Sequence, residues 1–406
     1  MVNDMSNNTQ EIDSEAPGKL LLFGPYPLLQ REKSYRCYVV PLDCFVHVHI
    51  TPRKDNVVKI NAPQFEAYAE GTVDTSTGNV FVSGPESLNL VTTAIDLSLT
   101  YVKALGRDIN GFEITTRNDD AFVYRIKNPG DKKAFSKSGL GSSSAAIVAT
   151  VGGILTAFGA DVKENDCLYK LSQLTYVRTT GKAGYGFDIA TAVFGPIQYS
   201  LYPAESVENF PRNCSGRDVL AAVKKDWGYS VEPLPFPTSF KLILANFINE
   251  ATITDSFVKK VNEFKKTYPT EYNHLINKIN SAVILEIYYL KKINAGDRTA
   301  HTLDALRSAF NEERALTKTL GEKSGVEIES ADSTALINEA CRIGAFAAKL
   351  PGAGGRDSIV ALSDSEHENG IRKLWRGKPN LDVLELKPGS TGFSVKKVNE
   401  ANRIHV

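Results

Sequence analysis

The sequence predicts a protein of two domains that mixes β-strands with α-helices. With 406 residues, the chain is too long to fold around one ordinary hydrophobic core. Short apolar segments of strand length alternate with segments of helical length along the sequence. Three prolines fall within residues 232–237. We therefore expect an N-terminal domain over residues 16–235 and a C-terminal domain over residues 236–406.

Composition and charge argue against several classes of protein. Hydrophobic residues make up 42% of the chain and charged residues 23%, as in ordinary globular proteins. The 47 lysines and arginines balance the 47 aspartates and glutamates. Partners such as nucleic acid or an anionic membrane usually require an excess of basic residues, so neither is expected. No apolar run approaches the roughly 18 residues of a membrane helix.

The N-terminal segment and the cysteines indicate the cellular compartment that is expected for the protein. Residues 1–15 are polar and acidic and lack the pattern of a signal peptide, so we expect a disordered tail. The five cysteines are scattered, without a CxxC motif. Reduced thiols in the cytoplasm are the expected state.

Apolar periodicity and turn residues place the elements of the N-terminal domain. Strands are expected at residues 19–23, 36–52, 57–69, 78–82, 111–116 and 121–126, and helices at 88–104, 142–158 and 164–178. Gly152 and Gly153 lie inside the second helix, where each glycine costs about 1 kcal/mol relative to alanine. We expect them to permit close packing against another element.

The same criteria place the elements of the C-terminal domain. Residues 255–320 are expected to be mostly helical, with breaks at Pro269 and near Gly296. A further helix is expected at 333–349, and strands at 241–247, 359–362, 381–386 and 391–396.

A glycine- and serine-rich stretch before the second helix indicates a phosphate-binding loop. Two glycines, Gly139 and Gly141, allow the backbone to approach a ligand closely. Serines that follow are preferred helix N-caps, and the N-terminus of a helix attracts anions. Lys137 adds a positive charge. The alternative is a glycine turn that merely opens a core helix. The dinucleotide-binding and Walker patterns do not fit.

Three further segments have both a structural and a functional interpretation. Lys19 begins an apolar strand and is either a surface lysine or a cation directed at a ligand. Three glycines surround Lys182 ahead of Asp188, which either caps a helix or acts in a binding loop. The run Gly352-Ala353-Gly354-Gly355 is either a tight connection or a binding loop.

Together these motifs resemble the GHMP kinases. APGKLLLFG, KSGLGSSSAA and LPGAGGRDS stand in the order and spacing of that superfamily. GKAGYGFDIATAVFG and the aspartate that follows PGAGG after one residue are most similar to the eukaryotic-type phosphomevalonate kinases. The match extends over nearly the whole chain.

The resemblance implies a fold and a reaction. The fold is α+β, with an N-terminal domain like ribosomal protein S5 domain 2 and a ferredoxin-like C-terminal domain. The reaction is transfer of the γ-phosphoryl group of MgATP to 5-phosphomevalonate, giving 5-diphosphomevalonate and ADP in isoprenoid and sterol biosynthesis. The expected cofactors are ATP and Mg²⁺, and a monomer or homodimer is expected.

The resemblance also implies roles for individual residues. Lys19 stabilises the transferring group and Asp188 orients the acceptor. The ATP side comprises Lys137, Gly139, Leu140, Gly141, Ser142, Ser143, Ser144 and Asn89, with Ser142 or Ser143 reaching Mg²⁺. The acceptor side comprises Arg178, Lys182, Gly184, Tyr185, Gly352, Ala353, Gly354, Gly355 and Asp357.

The sequence departs from the family pattern mainly on the acceptor side. Pro25 and Pro27 replace a glycine and an apolar residue, and Tyr185 replaces a small residue. A GHMP kinase for another acceptor, a different mevalonate derivative or a sugar, is therefore a second interpretation. A non-catalytic ATP-binding relative is a third, against which the presence of Lys19, Ser143 and Asp188 argues.

Overall fold

A computed structural model describes residues 10–125, 135–137, 139–160, 165–248 and 254–398. The strands are β1 (Ile12–Phe23), β2 (Arg36–Pro52), β3 (Val57–Ala62), β4 (Ala67–Val73), β5 (Val80–Ser83), β6 (Phe112–Asn118), β7 (Val123–Arg125), β8 (Phe135–Lys137), β9 (Ile197–Ser200), β10 (Ser230–Pro233), β11 (Lys241–Phe247), β12 (Ala347–Lys349), β13 (Ser358–Ser363), β14 (Leu381–Leu384) and β15 (Ser394–Lys397). The helices are α1 (Asn89–Ala104), α2 (Ser142–Ala157), α3 (Asn165–Thr180), α4 (Phe187–Phe194), α5 (Gly216–Lys224), α6 (Thr254–Thr267), α7 (Pro269–Asn294), α8 (Ala300–Ser324), α9 (Ala331–Arg342) and α10 (Glu368–Arg376).

The long strand β2 organises the N-terminal sheet. Within the described ranges, this sheet has nine strands, in the order β10-β9-β2-β6-β3-β4-β5, with β1 also paired to β2 and β15 paired to β1. The 17 residues of β2 pair with β1 on one side, and with β9 and then β6 on the other. One strand thereby connects the start of the chain to both halves of the sheet.

Helix α2 is packed between this sheet and the helices α1 and α3. A Cβ atom on Gly152 would lie 2.2 Å from the ring of Phe393, and one on Gly153 would lie 2.6 Å from Oγ of Ser14. Real Cβ atoms do not approach neighbours so closely. The prediction that the two glycines permit close packing is therefore confirmed.

The C-terminal sheet has the order β12-β13-β11-β14. Along the chain its elements run strand, helices, two strands, helix, strand. This order and connectivity are those of a ferredoxin-like domain, as expected. Alternate residues of β11 face opposite sides, so that Leu242 and Leu244 join the main core while Ile243 and Ala245 pack with α9 and α10.

The helical segment of the C-terminal domain breaks where the sequence indicates. Pro269 is the first residue of α7, where its missing N–H is tolerated, and Gly296 follows the end of that helix with a φ of +96°. Helices α7 and α8 pack against each other, and α7 also contacts β2 of the first domain.

The structure corrects two assignments made from the sequence. Strand β1 begins at Ile12, inside the segment expected to be a tail, because residues 12–15 pair with both β2 and β15. Residues 347–349 form β12 instead of the end of a helix, since Gly344, with a φ of +111°, reverses the chain and β12 then pairs with β13. Residues 1–9, Ile126 and Glu164, which were also assigned, lie outside the described residues.

The chain passes between the two sheets twice. It leaves the N-terminal sheet after β10 and enters the C-terminal sheet at β11. After β14 it returns, and β15 pairs antiparallel with β1 at the edge of the first sheet. The last predicted strand therefore belongs to the N-terminal sheet, where Phe393 contacts Gly152.

Candidate active site

The first sequence motif and the glycine-rich loop form one unit. Gly139 and Gly141 have φ angles of +69° and +84°, which only glycine adopts readily. The backbone N–H of Lys19 donates to the Leu140 carbonyl at 2.8 Å, and its Nζ donates to the Gly139 carbonyl at 2.8 Å. A Cβ atom on Gly18 would lie 3.1 Å from the Leu140 carbonyl oxygen. The absence of a side chain at Gly18 thus lets the loop reach the lysine.

The loop opens α2 without a serine cap. Gly141 occupies the N-cap position in the left-handed conformation, and residues 142–144 form the first helical turn. The expectation of a serine N-cap is therefore wrong, because the turn needs a positive φ at that position. No hydrogen bond joins the hydroxyls of Ser142 and Ser143 to another described residue. The helix N-terminus and these two hydroxyls remain suited to an anion or a metal–phosphate group.

Ser144 forms a hydrogen bond with Asp188, whereas the sequence predicts that it belongs to the loop around the nucleotide phosphates. It is 2% exposed, and its Oγ donates to Oδ2 of Asp188 at 2.6 Å. Asp188 is the second residue of α4, whose N-cap is Gly186, so the helix-cap interpretation of Asp188 does not hold. The buried serine fixes the direction of the carboxylate.

Buried tyrosines set the backbone path before Asp188. Gly186 has a φ of +70°, and a Cβ atom there would lie 2.5 Å from the hydroxyl of Tyr169 and 2.7 Å from that of Tyr199. Tyr202 donates its hydroxyl hydrogen to the Ala183 carbonyl at 2.7 Å. The loop over residues 183–188 therefore packs against these buried tyrosines of the core.

Ser144→Ala is expected to lower kcat about tenfold, because a hydrogen bond to a charged group contributes about 1.5–3 kcal/mol and part of the orientation of Asp188 is retained by α4. The KM for ATP is expected to change less than twofold. Steady-state kinetics of the single and double variants would test this. In an Asp188→Asn background, Ser144→Ala should cause no further loss. An equal loss in both backgrounds would show that Ser144 acts independently of Asp188.

Lys19 lies in an environment that opposes its charge. Burial lowers the pKa of its ammonium group below the usual value of 10.5, while the nearby carboxylates of Asp188 and Asp357 act in the opposite direction. Its Nζ also lies 5.9 Å from the centroid of the Phe187 ring. A partly dehydrated cation next to a glycine-rich loop interacts strongly with an incoming anion.

The glycine-rich loop of the C-terminal domain is joined to the first motif by hydrogen bonds. The N–H of Gly352 donates to the Leu21 carbonyl at 3.1 Å, and the Tyr26 hydroxyl donates to the Ala353 carbonyl at 2.6 Å. These bonds place the loop at the border between the domains.

The second half of that loop has a supporting role. A Cβ atom on Gly354 would lie 2.6 Å from the Ile328 carbonyl oxygen, and the N–H of Gly355 donates to the same carbonyl at 2.8 Å. Gly354 and Gly355 thus anchor the loop to the C-terminal domain, whereas Gly352 and Ala353 face the first domain.

Two adjoining cavities lie at this border. The inter-domain cavity is lined by residues from all the loops described above, including Lys19, Gly139, Leu140, Gly352, Ala353 and Asp357. The acceptor-side cavity is lined by Lys182, Gly184 and Asp188, together with residues of α6. Tyr185, Phe187 and Val258 line both cavities.

Some predicted site residues lie elsewhere. Arg178 is absent from the lining of both cavities, because its Nη2 lies 2.8 Å from Oδ2 of Asp96 on α1 and its charge is already paired. Asn89 is exposed at the first turn of α1, outside both linings. Lys137 is the last residue of β8, and its side chain is outside the described part of the structure.

Lys182 borders the acceptor-side cavity, but it is not unpaired. Its Nζ lies 2.7 Å from Oδ2 of Asp255, at the start of α6 in the other domain. The hydrogen bond to Asp255 raises the pKa of Lys182. An acceptor phosphate would have to share this lysine with Asp255.

Sequence reasoning missed two contributors to the site. Tyr26, in the proline-containing segment, lines the inter-domain cavity and bonds to the C-terminal loop. Arg31 lines the acceptor-side cavity, and its Nη2 donates to the Gly184 carbonyl. In the sequence, the only indication of either residue is that their segment departs from the family pattern at Pro25 and Pro27.

Within the described residues, no helix combines the length and apolarity of a membrane span. Clusters of three or more histidine, cysteine or carboxylate ligands for a metal ion are also absent from that part of the chain.

Comparison with known proteins agrees with these observations. The model of the GHMP kinase N-terminal domain matches residues 89–196, and that of the GHMP kinase C-terminal domain matches residues 291–377. A phosphomevalonate kinase of Candida albicans is 26% identical over 392 residues, which cover 86% of this chain and 88% of the relative.

Solved structures share the fold. A Lin0012 protein from Listeria innocua has a TM-score of 0.78 at 21% identity, covering 96% of this chain and all of the other. The phosphomevalonate kinase of Streptococcus pneumoniae, in complex with phosphomevalonate and AMPPNP, has a TM-score of 0.69 at 17% identity and covers 93% and 99% of the two chains. The chain thus matches the N- and C-terminal domain models of the GHMP kinases in order, and it has the two-domain GHMP kinase fold.

Proposed function

We propose that this protein is a phosphomevalonate kinase, which transfers the γ-phosphoryl group of ATP to 5-phosphomevalonate. The observation that carries the proposal is the convergence of Lys19, the loop of Gly139 and Gly141, and Asp188 bonded to Ser144 at the border of two adjoining cavities. The similarity to relatives named phosphomevalonate kinase over most of the chain supports the choice of acceptor.

In this proposal the residues bring two anionic reactants together. The N-terminus of α2 and the loop before it hold the nucleotide phosphates, and Lys19 stabilises negative charge on the transferring group. The acceptor is a phosphate monoester with a second pKa near about 6, so it is largely ionised at neutral pH. Asp188 then orients the acceptor and takes up any remaining proton, instead of acting as an obligatory base.

Magnesium fits the donors that the chain offers. The hydroxyls of Ser142 and Ser143 lie in the first turn of α2, beside the proposed phosphate position, and oxygen ligands are those that Mg²⁺ prefers. Because the described residues hold no carboxylate cluster, nucleotide phosphates and water would complete the coordination. When bound, the ion neutralises phosphate charge and orients the terminal phosphoryl group.

A kinase for another small acceptor is a second candidate, favoured by Tyr185. It lines both cavities at a position where the similar family has a small residue, and it reduces the space beside Asp188. A sugar or a different mevalonate derivative would then be the acceptor.

The experiment that tests the proposal is ADP release by the purified protein with MgATP and 5-phosphomevalonate, beside mevalonate and galactose. Turnover is expected with phosphomevalonate alone, and the Asp188→Asn variant should lose most of it. Turnover only with mevalonate or galactose would replace the proposed acceptor. ATP binding without turnover of any acceptor would indicate a non-catalytic relative.

A further inference from the structure

Arg31 lies above the ring of Tyr185 at the border of the acceptor-side cavity. Its guanidinium carbon is 4.7 Å from the ring centroid, a cation–π distance. Its Nη2 donates to the carbonyl of Gly184. The arginine is thus fixed to two residues of the loop that ends at Asp188.

The guanidinium group of Arg31 has an unused donor. Its Nη1 is shielded from solvent and has no hydrogen-bond partner among the described residues. Nor does any described carboxylate lie within salt-bridge distance of Arg31, in contrast to the paired Arg53, Arg178 and Arg314. A shielded donor without an acceptor is unfavourable, and a bound oxyanion would supply the missing acceptor.

The other charges around the cavity do not select for an anion by themselves. Lys182, Lys259 and Lys266 line it, and so do the four carboxylates Asp188, Glu208, Asp255 and Glu263. With Arg31 included, positive and negative groups are equal in number. Lys182 is also exposed and bonded to Asp255. Recognition of a phosphate therefore depends on a local donor of suitable geometry, and the planar fork of arginine provides one.

We propose that Arg31, held in place by Tyr185, binds the anionic group of the acceptor and gives the site its preference for a phosphorylated over an unphosphorylated acceptor. This inference rests on the proposed function. Tyr185, itself a departure from the family pattern, then serves as a platform for the guanidinium group.

Calorimetric titration of the full-length protein with 5-phosphomevalonate and with mevalonate, in the absence of nucleotide, would test the proposal. We expect the wild type to prefer phosphomevalonate by about 30-fold or more, as hydrogen bonds to a charged group allow. In Arg31→Gln this preference should fall to about threefold. Tyr185→Phe, which keeps the ring, should retain the preference, while Tyr185→Ser should lose about tenfold of it. Lys33→Gln removes a charge from the same segment outside the cavity lining and should change nothing.

Equal wild-type affinity for the two compounds, no binding of either, or an unchanged preference in Arg31→Gln would each overturn the inference. Thermal melting of every variant would verify that it is folded. ADP release measured in parallel separates the two proposals. Wild-type protein that shows the binding preference without turnover contradicts the proposed reaction and leaves the role of Arg31 intact. Turnover of phosphomevalonate with an unchanged preference in Arg31→Gln contradicts only the role of Arg31.

Discussion

Lys19→Met is expected to lower kcat by about 10² to 10³-fold, the loss observed when one donor to a developing negative charge is removed. Methionine keeps most of the apolar part of the lysine side chain, against which Gly141 packs. A Cβ atom on Gly141 would lie 2.9 Å from Cγ of Lys19. The loop should therefore retain its shape, and the KM for ATP should change much less than kcat. Steady-state kinetics with saturating MgATP would measure the effect. Activity above about a tenth of the wild-type value would contradict the assigned role.

The pH dependence gives an independent check on Lys19. Because burial lowers its pKa and the protonated form is the active one, wild-type activity should fall as pH rises through a value below 10.5. Lys19→Arg keeps a cation that does not deprotonate in this range, so the alkaline fall should move to higher pH even though the rate is lower. If the activity of Lys19→Arg fell over the same alkaline pH range as that of the wild type, the fall would have to come from another group. Lys33→Met, at an exposed position, serves as the control for loss of a lysine.

Glu313→Gln is expected to destabilise the protein by about 3–5 kcal/mol, since it breaks a buried ion pair and leaves one charge without a partner. Glu313 is completely buried and pairs with Lys349, which is 4% exposed. The second carboxylate oxygen of Glu313 accepts the N–H of Gly24 at 2.9 Å. This cluster connects α8 to β12 and to the end of the first motif. Urea denaturation followed by fluorescence would measure the loss.

Glu286 provides a matched control for the ion pair. It is also completely buried, and burial together with the charge of Glu313 raises its pKa well above the usual value, while Lys349 acts in the opposite direction. The raised pKa favours the neutral form of Glu286, for which glutamine is a close substitute. Glu286→Gln should change the stability by less than about 1 kcal/mol. Equal losses in the two variants would contradict the importance of the contact between Glu313 and Lys349.

The local chemistry of the site could be predicted from the sequence because it is encoded in short segments. Gly139 and Gly141 have the positive φ angles that a loop approaching a ligand requires. Lys19 and Asp188 stand out in their motifs, and both are bonded to the segment of the glycine- and serine-rich loop, Lys19 to Gly139 and Asp188 to Ser144. The break of the C-terminal helices at Pro269 follows from the missing N–H of proline.

The remaining features depend on contacts between distant residues. Ser144 looks like any other serine of its loop until Asp188, 44 residues later, is placed beside it. The pairing of Arg178 with Asp96 depends on how α3 packs against α1. Arg31 has no motif of its own, and its position is evident only when the segment after the first strand meets Gly184. Strand β12 cannot be distinguished in the sequence from the end of a helix, because three residues are too few to show a period.

The return of the chain to the first sheet has a consequence for movement of the domains. Both crossings lie side by side, since Pro235 and Phe236 of the first share a cavity lining with Lys387 and Pro388 of the second. The second crossing is also fastened to β2, where the N–H of Gly389 donates to the Pro41 carbonyl at 2.7 Å. Two adjacent chain segments therefore join the domains, and a double connection restricts how far one domain can rotate relative to the other.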